Sequence, residues 1–68
     1  MKGDPVLDGM AVQLRDALVA AGLDHRNPPP GHPPPEKAFF EYQKRGGIVY
    51  KDPVMFVEAL VAKVVLLP

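Results

Sequence analysis

The chain contains no cysteine, serine, threonine or tryptophan. Without cysteine, neither a disulfide nor a thiolate metal site can staple the fold, and an intracellular or intraparticle setting is mildly favoured over a secreted one. Without a side-chain hydroxyl or thiol apart from two tyrosines, nucleophilic acyl transfer has almost nothing to work with. Net charge is missing as well. Eight basic residues cancel eight acidic ones, which removes any global pull toward nucleic acid or an anionic membrane. No run reaches the roughly 18 apolar residues of a membrane span, and the opening MKGDPVLDG lacks the apolar stretch and small-residue cleavage site of a signal peptide. These absences predict a non-enzymatic protein without metal or cofactor, cytoplasmic or held within a macromolecular particle.

Proline is what the chain has in excess. Of nine prolines, six stand in NPPPGHPPP, residues 27–35. Fixed φ and few donors predict a polyproline II arm rising about 3.1 Å per residue, roughly 25 to 30 Å in all. Three uses fit it: a rigid connector inside a three-helix unit, an arm bridging subunits, or a ligand of the Pro-x-x-Pro kind, written here as PGHP from Pro30 to Pro33. A domain over 1–68 is expected, which a stiff arm could divide into an N-terminal helix (1–23) and a C-terminal helical module (35–68).

Proline and glycine also punctuate the helices. Asp4 as N-cap and Pro5 at the first position open a helix over about 5–21, whose apolar stripe is Leu7, Met10, Ala11, Leu14, Leu18 and Ala21. Gly22 ends it by tolerating left-handed φ. Pro35 opens a short second helix over 35–45, with Glu36 at the positive end of its dipole, Lys44 and Arg45 at the negative end, and Gly46 and Gly47 as the stop. Asp52 and Pro53 repeat the Asp-Pro start for a third helix over 53–66, although VVLL near its end would also suit a strand. Residues 48–51, IVYK, are expected to be extended. The fold class is therefore mostly α, a small two- to three-helix unit carrying the arm.

Few residues suggest chemistry. His25 precedes the arm and His32 lies within it, with Asp24 beside the first, but extended prolines separate the imidazoles and no third ligand is evident, so both are expected to be solvated. Glu36 with Glu41, and Asp4 with Asp8, pair carboxylates without an evident pocket to push their pKa values apart. One stretch departs from neutrality: YQKRGGIVYK, residues 42–51, offers Lys44, Arg45 and Lys51 for phosphate and two tyrosines for stacking. A small nucleic-acid-associated regulator is the alternative it supports.

The strongest signal is the last helix. From Val54 to Leu67 only Glu58 and Lys63 are polar, five residues apart and about 140° around the axis, so no polar face remains. A chain this short buries about 60% of its unfolded surface, and its core seldom supplies more than roughly 3 to 5 kcal/mol. Part of such a helix is expected to meet a protein partner, either a second copy or another subunit. The expected partner surface is Val54, Phe56, Val57, Leu60, Val61, Val64 and Leu67, with Phe39, Phe40, Tyr42 and Tyr50 beside them. Glu58 and Lys63 are expected at its rim.

Overall fold

Each of the three helices begins at a proline: α1 spans Pro5–Ala20, α2 Pro35–Lys44 and α3 Pro53–Leu66. The computed structural model describes residues 3–68; Met1 and Lys2, part of the domain expected over 1–68, lie outside the described residues. All three helices follow the expected bounds to within a residue, and no strand forms among the described residues.

The caps explain where the helices start. Asp4 is extended and its Oδ1 accepts the N–H groups of Val6 at 3.1 Å and Leu7 at 3.4 Å. Asp52 repeats the arrangement at α3, accepting from Val54 at 2.8 Å and Met55 at 3.3 Å. Each carboxylate thereby satisfies donors that an isolated helix start leaves without partners. Pro34 precedes α2 without a side-chain cap, and the proline at the next position removes one donor that would have needed one.

The helix ends are equally local. At α1, Gly22 has φ +77, the Leu23 N–H reaches the Leu18 carbonyl at 2.9 Å, and the Gly22 N–H reaches Val19 at 3.0 Å. The same six-to-one and five-to-two pair closes α2, with Gly46 at φ +90, Gly47 bonded to the Tyr42 carbonyl at 2.9 Å, and Gly46 to Gln43 at 3.0 Å. This pattern needs a left-handed residue just past the helix, which glycine adopts at little steric cost. The two adjacent glycines answer different demands. Gly46 supplies the positive φ, whereas Gly47 supplies room, because a Cβ there would lie 2.3 Å from ring atoms of Tyr42.

Residues 27–35 differ from a straight spacer. Pro34 keeps polyproline II angles, φ −61 and ψ 128, but the segment bends elsewhere. Asp24 accepts the Arg26 N–H on Oδ1 at 3.0 Å and the Asn27 N–H on its carbonyl at 3.0 Å. A second turn joins the His32 N–H to the Pro29 carbonyl at 3.3 Å, with Pro30 and Gly31 at its centre and Gly31 at φ +73. Proline followed by glycine is the pair such a turn demands. The one glycine in the proline run therefore folds the arm back, and α2 returns to the body of the domain, where it packs on α3.

α1 and α2 each lie along α3 and meet each other only slightly. α1 and α3 run in the same direction: Asp8 pairs with Lys63 at 3.3 Å, and further along Arg15 Nη1 donates to the Pro68 carbonyl at 3.2 Å. The radius of gyration is 11.3 Å, against about 11 Å for a compact domain of this length. The core joins Leu7, Met10, Ala11 and Leu18 of α1 to Ala38, Phe39 and Tyr42 of α2 and Phe56, Leu60 and Val64 of α3. Its centre is aromatic. The rings of Tyr42 and Phe56 stand 4.3 Å apart, with Phe39 and Tyr50 about one ring further out, Phe39 at 6.0 Å and Tyr50 at 5.9 Å from Phe56.

Tyr42 is fully buried, and its hydroxyl is a junction. It donates to Asp4 Oδ2 at 2.5 Å and accepts the N–H groups of Val49 at 3.0 Å and Tyr50 at 3.3 Å. Residues 48–51, expected to be extended, thus direct two of their donors inward. Burial and the Asp4 carboxylate raise the Tyr42 pKa above its ordinary value near 10, with the two backbone donors opposing more weakly.

Two predictions follow from this junction and its glycine. Gly47→Ala should cost about 1 to 3 kcal/mol, as overpacking against a fixed ring does, read as a lower urea midpoint. Because folding holds the Tyr42 proton, its contribution is fully present below about pH 10 and is lost as pH rises through the higher folded-state value. In Tyr42→Phe that part of the alkaline loss should vanish, while stability at pH 7 falls by about 1 to 3 kcal/mol as two backbone donors and a carboxylate lose their partner.

Candidate interaction surface

On α3 the inward positions are Phe56, Leu60 and Val64, spaced four apart and each almost completely buried in the chain's own core. Val57 and Leu67 are half-buried against that core. Five of the seven residues expected to meet a partner from this helix therefore pack inside the protein, because α1 and α2 together cover the side of α3 on which they lie. Phe39 and Tyr42 are core residues too, and Tyr50 is half-buried against them. The buried side chains among these offer no area to a partner, and the half-buried Val57, Leu67 and Tyr50 offer only part of theirs. Val54 is exposed and Val61 half-exposed, and Phe40 points outward from α2.

The outward face of α3 consists of two rows. Val54, Val61 and Val65 form one, spaced by seven and then four residues; Met55, Ala62 and Leu66 form the other with the same spacing. Both rows are whole helical turns apart and so line up along the axis. Leu66 is 81% exposed, Met55 61% and Val54 56%. Glu58 is the one ionisable side chain among these rows and makes no ion pair, whereas Lys63, expected at the rim, is turned toward α1 by Asp8. Ile48 and Val49, just before α3, are also exposed.

Met55, Val65, Leu66, Ile48 and Val49 escaped the sequence reading. An all-apolar helix gives no phase by itself, so inward and outward rows look alike. Glu58 carried the missing signal. A lone carboxylate without a partner has to face water, and the residues of α3 three, four and seven positions from it are Val54, Met55, Val61, Ala62 and Val65.

The basic and aromatic stretch is divided by the fold. Lys44 and Lys51 are exposed, but Arg45 is turned back to Glu41, Nε to Oε1 at 3.6 Å. Of the two tyrosines needed as stacking platforms for bases, Tyr42 is buried in the core and Tyr50 is half-buried against it. Neither carboxylate pair forms a site: Asp4 holds a helix start and Tyr42, Asp8 holds Lys63, and Glu41 holds Arg45.

His25 is not solvated as expected. It is 9% exposed, and its Nε2 lies 2.8 Å from the Leu67 carbonyl. A carbonyl can only accept, so Nε2 carries the proton. The bond ties the loop after α1 to the end of α3. His32 is exposed, and no three histidine, aspartate or glutamate side chains among the described residues come together as a metal site. No described helix is long and apolar enough to cross a membrane.

No family model, no curated protein and no solved structure matches the chain.

His25→Ala should lower stability by about 1 to 2 kcal/mol through loss of a part-buried hydrogen bond. His32→Ala should stay within about 0.5 kcal/mol of the parent. Chemical denaturation of both variants at neutral pH checks the contrast.

Proposed function

We propose that the chain is a non-enzymatic protein-interaction module that docks on a protein partner, a second copy or another subunit, through the outward face of α3. The observation that supports this is the composition of that face: Val54, Met55 and Leu66 largely exposed, Val61 and Val65 partly so, and a single charge at Glu58. Contiguous apolar surface of this kind is uncommon on a free monomer and typical of the centre of an interface. A separate, satisfied core stands behind it, since the aromatic cluster and the inward row of α3 pack without help from another molecule. The module would present a formed surface instead of folding upon its partner.

Docking of this kind places the largest energetic weight on a few central side chains. Met55 and Leu66 are the strongest candidates, being the most exposed of the α3 face. Glu58 would lie within the contact or at its edge and orient the partner.

A photo-crosslinking amino acid in place of Ala62 tests this in the cells that make the protein. Discrete adducts are expected at Ala62, either a dimer or one partner, and not from the same group at the exposed Asp16 on α1. Met55→Lys combined with Leu66→Lys should remove the adduct by weakening binding more than tenfold, with the melting temperature within about 3 °C of the parent. Absence of a discrete adduct at Ala62, or equal adducts at Asp16, would overturn the assignment.

A further inference from the structure

A second surface lies on the other side of the molecule. Because α1 and α2 both pack on α3 but scarcely on each other, a groove of about 380 Å³ opens between them. Its floor is Met10 and Leu14 of α1, Ala38 of α2 and Leu60 of α3, and Pro33 and Pro34 close one end. The volume falls within the range of small-molecule sites, which are mostly apolar with a few polar groups fixing orientation.

Those polar groups are unequally charged. Along the α2 edge stand Lys37, Glu41 and Arg45, one turn apart, with uncharged Gln13 on the α1 edge and His32 at the proline end. Glu41 is engaged by Arg45 at 3.6 Å, while Lys37 has no ion-pair partner among the described residues. The rim therefore carries two cations against one anion, and the unpaired cation stands beside the apolar floor. From Lys37 to Arg45 the edge runs about 12 Å at 1.5 Å per residue, long enough for a medium-length acyl chain. A cationic amphiphile would meet an excess of like charge; an anionic one would meet its complement.

We propose that the groove between α1 and α2 binds a small amphipathic carboxylate, its apolar body on Met10, Leu14, Ala38 and Leu60 and its carboxylate at Lys37. This site is separate from the α3 face and does not depend on the docking function. The turn at Pro29–His32 gives it its end wall, since that turn brings Pro33 and Pro34 over the groove.

The two methionines of the described chain make the test direct, because Met10 lies in the groove and Met55 on the outward face of α3. The full chain with labelled methionine methyls is titrated with sodium decanoate below its micelle concentration, and in parallel with decyltrimethylammonium. Decanoate should shift the Met10 methyl saturably and leave Met55 in place, and decyltrimethylammonium should bind at least about tenfold more weakly. Lys37→Glu, a change at an exposed side chain, should weaken decanoate about tenfold while leaving the spectrum of the free protein otherwise intact. Equal shifts at Met10 and Met55, equal affinity for the two amphiphiles, undiminished binding by Lys37→Glu, or no saturable shift would each overturn the proposal.

Discussion

The bond between the Tyr42 hydroxyl and Asp4 is the contact on which the arrangement of the domain turns. Asp4 has two carboxylate oxygens and two tasks. One oxygen caps α1, and the other takes the Tyr42 proton from α2. The hydroxyl oxygen then receives Val49 and Tyr50 from the connection to α3. One buried side chain therefore fixes the start of α1, the end of α2 and the approach to α3 relative to one another. Such a junction is stabilising only when every member is satisfied, and among the described residues no buried side-chain nitrogen or oxygen lacks a partner. Gly47 belongs to the same unit, because the Tyr42 ring occupies the space where a side chain would begin.

From that junction the two surfaces follow. With Tyr42 and Phe56 in ring contact, α3 is rotated so that Phe56, Leu60 and Val64 face inward. Its opposite rows are then left to solvent although they are as apolar as the buried ones. The bond also holds the end of α2 to the start of α1, while elsewhere α1 and α2 scarcely touch and leave the groove floored by Leu60. A small domain ordinarily cannot cover every side of an apolar helix, and here the uncovered part is concentrated on one face.

How much of this was legible in the sequence depended on the range of the interaction. Asp-Pro starts, glycine stops and the helix bounds are local chemistry, and they stood where the residues indicated. The fold-back of the proline segment was also written locally, in Pro30–Gly31 and in Asp24, but the abundance of proline suggested a straight arm and outweighed a two-residue turn signal. His25 shows the other limit. Its partner is the carbonyl of Leu67 at the far end of the chain, and no spacing rule links those positions. Of the seven α3 residues expected at a partner surface, Phe56, Leu60 and Val64 are buried and Val57 and Leu67 half-buried, since nearly uniform apolarity conceals rotation about the axis. Glu58 alone recorded that rotation. Tyr42 looked like an interfacial aromatic because its acceptor, Asp4, lies 38 residues earlier in the chain.

A double-mutant cycle between Asp4→Ser and Tyr42→Phe, followed by urea denaturation at neutral pH, measures how strongly the Tyr42–Asp4 bond couples the helices. Serine keeps the N-cap, since it caps about as well as aspartate, but its single oxygen cannot also reach the phenol. The two changes should therefore share one loss: their combined effect should fall short of the sum by about 0.5 to 3 kcal/mol, the range for residues in one hydrogen-bond network. Effects that add to within about 0.3 kcal/mol would show that the two side chains act independently, and that the helices are held together by apolar packing without this bond.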